Sequence, residues 1–311
     1  MRSGSKPIAV LTGPTGSGKT DFALRLAREF PLEIVSVDSA QVYRGLDIGS
    51  AKPDAAVRAA VPHHLIDLVE PTQSYSAGQF VRDAALAIAD IESRGRVPLL
   101  VGGTMLYLRA LIGGIATLPQ GSLAIRATLD ADAARIGWPA MHQRLAGVDA
   151  AAAARIHPND VQRIQRALEV HAATGEPISA LQAQTRSPLQ RAFVCVALIP
   201  QDRARLHAAL AQRFAAMMAA GLLDEVRRLY QRGDLTDAQP AIRAVGYRQL
   251  WSHLSGCCSL EIAVERAVGA TRQLAKRQLT WLRTMPNIKT FDPYDVQSFV
   301  GVRESLTASF G

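Results

Sequence analysis

The chain has 311 residues, 48% of them hydrophobic, and a formal net charge of +8. That length carries one large domain with a sizeable insertion, or two domains. Its apolar runs are short and broken by charge, which excludes the roughly 18 to 20 apolar residues of a membrane helix.

The opening "MRSGSKP" lacks the apolar segment of a signal peptide, so a cytoplasmic protein is expected. "PIAVLT" (7 to 12) reads as a buried strand ended by Gly13. The next stretch, "GPTGSGKT", matches G-x-x-x-x-G-K-[ST], the phosphate-binding loop. It comprises Gly13, Pro14, Thr15, Gly16, Ser17, Gly18, Lys19 and Thr20. Small residues let backbone N–H groups curl around phosphate oxygens, and the helix that begins there adds its positive end. Lys19 is expected to reach the terminal phosphate, and the Thr20 hydroxyl to ligate Mg²⁺.

"DFALRLAREF" (21 to 30) has a helical period, and "EIVSVDS" (33 to 39) reads as a strand ending in Asp38. Position alone leaves Asp38 open as a Mg²⁺ ligand, a general base or a helix cap. His63 and His64 are adjacent, which suits structural hydrogen bonding better than one shared ion. A helix is expected over 76 to 95, capped by Ser76 with Gln79. "VPLLVGGT" (97 to 104) reads as a further strand, after which Thr104 by itself looks like a helix N-cap. The rhythm implies a mainly parallel sheet with helices on both faces: an α/β fold, P-loop NTPase-like, with an inserted helical subdomain.

Residues 122 to 184 carry Ala and Arg at helical spacing, and a strand returns at "AFVCVALIP" (192 to 200). The expected division is a core of 1–117 with 192–311, and a helical insertion of 118–191. From 202 the chain is helical again, and the polar tail after about 290 gives no usable signal. Residues 203 to 289 hold 14 Lys plus Arg against 6 Asp plus Glu, an excess that equals the whole net charge. Nucleic acid is therefore sought there. On one face of a helix Arg272, Lys276 and Arg283 fall within roughly 40° of one another, beside an apolar stripe of Val268, Ala275, Leu279 and Leu282. Arg213 alone reads as a solvated helical residue, and Met217 and Met218 as core. Cys195, Cys257 and Cys258 lack metal-site spacing.

Six stretches in order, "GPTGSGKT", "DSAQVYRGLDIGSAKP", "PHHLIDLVEP", "LLVGGTMLY", "IRAVGYRQLW" and "RQLAKRQLTWLR", resemble the bacterial tRNA dimethylallyltransferase family from about residue 7 to 285. The resemblance implies that the loop holds dimethylallyl diphosphate, whose five-carbon group passes to N6 of an adenine beside the anticodon. It implies Asp38 as the base, Arg213 on the diphosphate and Thr104 on substrate. It places tRNA on Asp38, Ser39, Ala40 and Gln41, on Thr104, on Gln162, Arg163, Ile164, Gln165 and Arg166, and on Ile242, Arg243, Ala244, Val245, Gly246 and Tyr247. The expected partners are tRNA, the diphosphate and Mg²⁺, with the protein acting as a monomer and no membrane involved. Two departures stand out. Gly16 replaces a common alanine, and "LPQGSLAIRATL" (118 to 129) lacks the Ala-Asp pair usual before its arginine, so Arg126 is carried over only weakly. The rivals are a P-loop nucleotide or small-molecule kinase, an isopentenyltransferase acting on free adenine nucleotides, and an RNA-binding nucleotide switch protein.

Overall fold

The computed structural model describes residues 6–116, 118–119, 121–185 and 189–310. The expected boundary at 117 and Gln120 of "LPQGSLAIRATL" lie outside them. Two compact units are present: Met1–Ile112 with Leu189–Gly311, and Gly113–Pro188.

The first unit begins with β1 (Ile8–Thr12), α1 (Lys19–Glu29), β2 (Leu32–Val37), α2 (Ala55–Ala60), β3 (His63–His64), α3 (Ala77–Ser93), β4 (Val97–Gly102) and α4 (Met105–Gly113). The second unit holds α5 (Leu123–Ile136), α6 (Trp138–Val148), α7 (Ala150–Ala153), α8 (Val161–Thr174) and α9 (Ile178–Ala183). The chain then returns through β5 (Phe193–Leu198), α10 (Arg203–Ala219), α11 (Leu222–Gln231), α12 (Tyr247–Leu254), α13 (Leu260–Leu282), β6 (Lys289–Phe291) and α14 (Ser298–Phe310).

Among the described residues six strands form one parallel sheet in the order β3-β2-β4-β1-β5-β6. Every residue of β1 is buried because helices cover both faces. Alternation along the strands sends Val10, Val35 and Leu100 towards α3 and α4, and Ala9, Leu11, Ile34 and Leu99 towards α1 and α14. Crossover connections bring the ends of β1, β2 and β4 to one edge, where a sheet of this kind leaves a crevice.

α3 starts as its sequence requires: Ser76 Oγ accepts from the Gln79 N–H, and Gln79 returns the bond to the Ser76 N–H. The tail from Lys289 onward contains a short edge strand, β6, and α14. Phe299, Val302, Leu306 and Phe310 recur at helical spacing and complete the core beside α1. That periodicity was present in the sequence, but the polar residues around it masked it.

Residues 38 to 54 have no helix or strand and are held by buried charge. The Lys52 side chain is 2% exposed, and its ammonium donates to Asp47 and Asp67, both at 2.6 Å, and to the Tyr43 carbonyl at 2.8 Å. From α11, the buried Glu225 accepts the backbone N–H groups of Asp47, Ile48 and Gly49 and the Tyr247 hydroxyl. Three backbone donors that lack strand partners are thereby satisfied in one carboxylate.

In the second unit, Leu129, Met141, Leu145, Ile164 and Leu168 form the core. The stretch that lacks an Ala-Asp pair before Arg126 leads into α5. There Ser122 Oγ accepts from the Ile125 N–H as the N-cap of α5, so a hydroxyl supplies the capping acceptor.

Candidate active site

β1 delivers the chain into "GPTGSGKT", where Gly16 and Gly18 adopt φ of 77° and 76°. An L side chain rarely takes that backbone, which is why glycine stands at both places. Lys19 folds over the loop, its Nζ donating to the Gly13 and Pro14 carbonyls at 2.9 and 2.7 Å. Burial pushes its pKa down to about 7, although Asp38 pulls upward; Arg213 adds to the depression. Ser17 Oγ is buried with no partner among the described residues. Thr20 lies exposed at the start of α1.

Asp38 stands one residue past β2. Its Oδ1 accepts from the Ala40 N–H at 2.8 Å and the Gln41 N–H at 3.3 Å, which leaves Oδ2 without a partner among the described residues. Thr104 directly precedes α4, but its hydroxyl serves the neighbouring loop. It accepts from the Ser39 N–H at 3.0 Å, and its carbonyl takes the N–H of Leu108.

Two cavities meet here. A cavity of about 170 Å³ is lined by Gly16, Gly18, Lys19, Thr20, Ser36 and Gln41. A cavity of about 440 Å³ is lined by Ser39, Ala40, Thr104, Met105, Leu210, Phe214 and Met217, with Arg243, Ala244, Val245 and Tyr247. Thr15, Asp38, Arg213 and Gln278 belong to both walls. Asp38, Arg213, Thr104 and the loop, scattered through the sequence, are thus brought together. Arg213 stays exposed to solvent and has no hydrogen-bond partner among the described residues, but it borders both cavities, where partial desolvation lowers its pKa and the charge of Asp38 opposes that shift. Met217 and Met218 pack against the core beside α11 and α12, as expected, and Met217 also lines the larger cavity.

Other expected residues fall elsewhere. Ile164 and Ile242 are 0% exposed, so their side chains are core and present nothing to a partner. Tyr247 is also 0% exposed; its ring forms cavity wall and its hydroxyl is spent on Glu225. Gly246 is the N-cap of α12 with φ of 92°. Arg126 and Arg166 both pair with the buried Glu169, at 3.0 and 2.8 Å, while staying 46% and 30% exposed themselves. Gln165 donates to Asp130 at 2.7 Å, whereas Gln162 and Arg163 are exposed.

Arg272, Lys276 and Arg283 line a separate groove of about 280 Å³ with Arg203, His207 and the apolar Leu206 and Leu279. α13 therefore turns one face to that groove and another, with Leu274, Arg277, Gln278 and Trp281, to the larger cavity. Sequence reasoning missed Arg277 and Gln278. Helical spacing from Trp281 was the available signal, since Gln278 lies one turn before it.

His63 Nδ1 bonds the Val61 carbonyl and His64 Nε2 meets Glu33, each at 2.7 Å. Among the described residues no three His, Cys, Asp or Glu side chains cluster as a metal cage. No single helix there is long and apolar enough to cross a membrane.

A family model described as "IPP transferase" matches residues 41–285, and one described as "Isopentenyl transferase" matches residues 6–61. Over 287 residues the chain is 56% identical to a tRNA dimethylallyltransferase of Bordetella petrii, covering 91% of each protein. It is similar to the crystal structure of a full-length tRNA isopentenylpyrophosphate transferase from Bacillus halodurans, with a TM-score of 0.72, 34% identity and coverage of 98% of this chain and 97% of that one. A eukaryotic dimethylallyltransferase, described in crystallographic snapshots as acting on tRNA, matches with a TM-score of 0.79, 28% identity and coverage of 95% and 76%. With a family model across most of its length and relatives alike almost from end to end, the chain belongs to the IPP transferase family.

Proposed function

We propose that the protein transfers a dimethylallyl group from dimethylallyl diphosphate to the exocyclic N6 of an adenine beside the anticodon of tRNA, releasing diphosphate. The observation that carries this reading is the shared wall of the two cavities, where Asp38 and Arg213 face both a phosphate loop and a larger chamber. One cavity suits a diphosphate; the other, walled by Met105, Phe214 and Met217 together with polar side chains, suits a prenyl chain and a base.

An exocyclic amine is a weak nucleophile because its lone pair is delocalised into the ring. The unpartnered Oδ2 of Asp38 takes the amine proton as the new C–N bond forms. The bond from the dimethylallyl carbon to the diphosphate oxygen breaks, and charge grows on the leaving group. Lys19, the loop amides and Arg213 meet that charge. Thr104, fixed by its bond to Ser39, borders the chamber where the base enters.

Mg²⁺ fits this donor set. The Thr20 hydroxyl opens into the cavity that holds Asp38, and the rarity of protein carboxylates leaves positions for phosphate oxygens and water, as Mg²⁺ prefers. Bound there, it would neutralise charge on the diphosphate.

A base that reacts at N6 must leave its stack, and a single-stranded loop lowers that cost. The groove with Arg272, Lys276 and Arg283 supplies cations for tRNA phosphates, and the exposed Gln162 and Arg163 of the helical unit, expected as 118–191, supply a second contact. The protein is read as a cytoplasmic monomer.

Labelled dimethylallyl diphosphate, unmodified tRNA and Mg²⁺, without ATP, test this reading. Label on N6 of an anticodon-loop adenine is the expected result. Immobile label with ATP hydrolysis would overturn it in favour of a kinase or a nucleotide switch.

A further inference from the structure

Gln278 is a polar side chain on the inward face of α13, between the buried Ala275 and Leu282, and it is only 9% exposed. Both ends of its amide are used. Oε1 accepts the Thr15 N–H at 2.8 Å, and Nε2 donates to the Gly103 carbonyl at 2.8 Å. A backbone N–H offers only a proton and a carbonyl only lone pairs, so these partners dictate which way round the amide lies. Gly103 makes the approach possible: a Cβ there would stand 2.5 Å from Nε2 and 3.0 Å from the Gly13 carbonyl. One amide thus spans the phosphate loop and the turn that carries Thr104.

We propose that Gln278 is a positioning residue for the transfer, a crossbar that holds the diphosphate loop and the Thr104 turn at a fixed separation. The inference rests on the loop being the diphosphate cradle. That loop passes through two left-handed glycines, and among the described residues Lys19 hydrogen-bonds only the loop's Gly13 and Pro14 carbonyls, so the side-chain restraint at Thr15 comes from α13. The crossbar needs one donor and one acceptor at the same reach. Methionine or leucine supplies neither, and glutamate would turn a carboxylate oxygen on the Gly103 carbonyl. The opposite face of α13 carries Arg272 and Lys276, so the helix offered to RNA is the one that braces the diphosphate site.

Steady-state transfer kinetics of Gln278→Ala, Gln278→Glu and Gly103→Ala test this, with Lys19→Ala in parallel, pyrophosphate affinity by calorimetry and tRNA affinity by filter binding. Both Gln278 variants are expected to lower kcat/KM for dimethylallyl diphosphate roughly ten- to a hundredfold, with tRNA affinity changed less than about threefold. Gly103→Ala should show the same split because its methyl displaces the amide. Normal kinetics in Gln278→Ala beside an impaired Lys19→Ala overturns the crossbar alone, as does a loss shared equally by tRNA affinity. Normal diphosphate kinetics in Lys19→Ala overturns the cradle, and the crossbar falls with it.

Discussion

The backbone N–H of Ser39 donates to the Thr104 hydroxyl at 3.0 Å, joining the chain after β2 to the chain after β4 beside Asp38. Thr104 therefore braces the segment that aims the carboxylate, as well as bordering the chamber.

If Asp38 is the base, Asp38→Ala should lower turnover by about 10² to 10⁴ while tRNA affinity stays nearly intact. Single-turnover transfer and filter binding on one preparation measure both. Unchanged turnover would remove Asp38 from the role.

Lys19→Ala removes the side chain that spans the loop carbonyls and lines the smaller cavity, proposed for the diphosphate. KM for dimethylallyl diphosphate should rise, kcat fall, or both, by about tenfold or more, the scale of one charge-assisted hydrogen bond. Initial-rate kinetics check it; wild-type constants would refute the loop assignment.

Neutralising Arg272 and Lys276 to glutamine should flatten the dependence of tRNA affinity on salt. Each lost phosphate contact reduces the slope of log K against log salt by about 0.7 to 0.9. Titrations at several salt concentrations measure the slope, and no change means that the groove does not meet phosphate.

Glu33 provides a pH test of the fold. Its side chain is 3% exposed and accepts from Arg94 Nη2 at 2.8 Å. The Arg94 bonds hold its carboxyl down to about 2, with His64 adding to this and burial opposing it. A depressed pKa contributes stability that is full above the ordinary 4.5 and is lost as pH falls towards 2. Glu33→Gln should cost roughly 2 kcal/mol at pH 7, a value trimmed for the half-exposed Arg94, and the gap should close as acid is added. Urea unfolding across pH measures it; a gap constant with pH would contradict the assignment.

Phe299→Ala tests the weight carried by α14. The ring is 8% exposed, lies edge-on to Phe22 with centroids 5.8 Å apart, and sits under Arg25 at 3.7 Å. Its truncation should cost about 3 kcal/mol through lost burial and a cavity in the core that backs the sheet. An unfolding midpoint within error of wild type would show that α14 is dispensable.

Much of the candidate site is legible along the chain because its parts are local. The phosphate loop needs its glycines, lysine and threonine within eight residues, and the strand before and helix after it follow from short-range patterning. Ser76 and Gln79 announce a helix start for the same reason: each satisfies a backbone donor a few atoms away. Asp38 at a strand end was visible, though its role among base, ligand and cap was not.

What the tertiary structure decided is what distant segments do together. Arg213 looks like any exposed helical arginine until α10 is laid beside the loop, and Gln278 like an ordinary polar residue until α13 brings it to Thr15, 263 positions away. Glu225 and Tyr247 are joined with the turn at 47–49 only by packing. Helical period alone put Arg272, Lys276 and Arg283 on one face, but which face would meet the chamber and which the groove depended on what α13 packs against. Sequence determines local hydrogen bonding and periodicity; convergence of unlike side chains on one cavity is a property of the folded core.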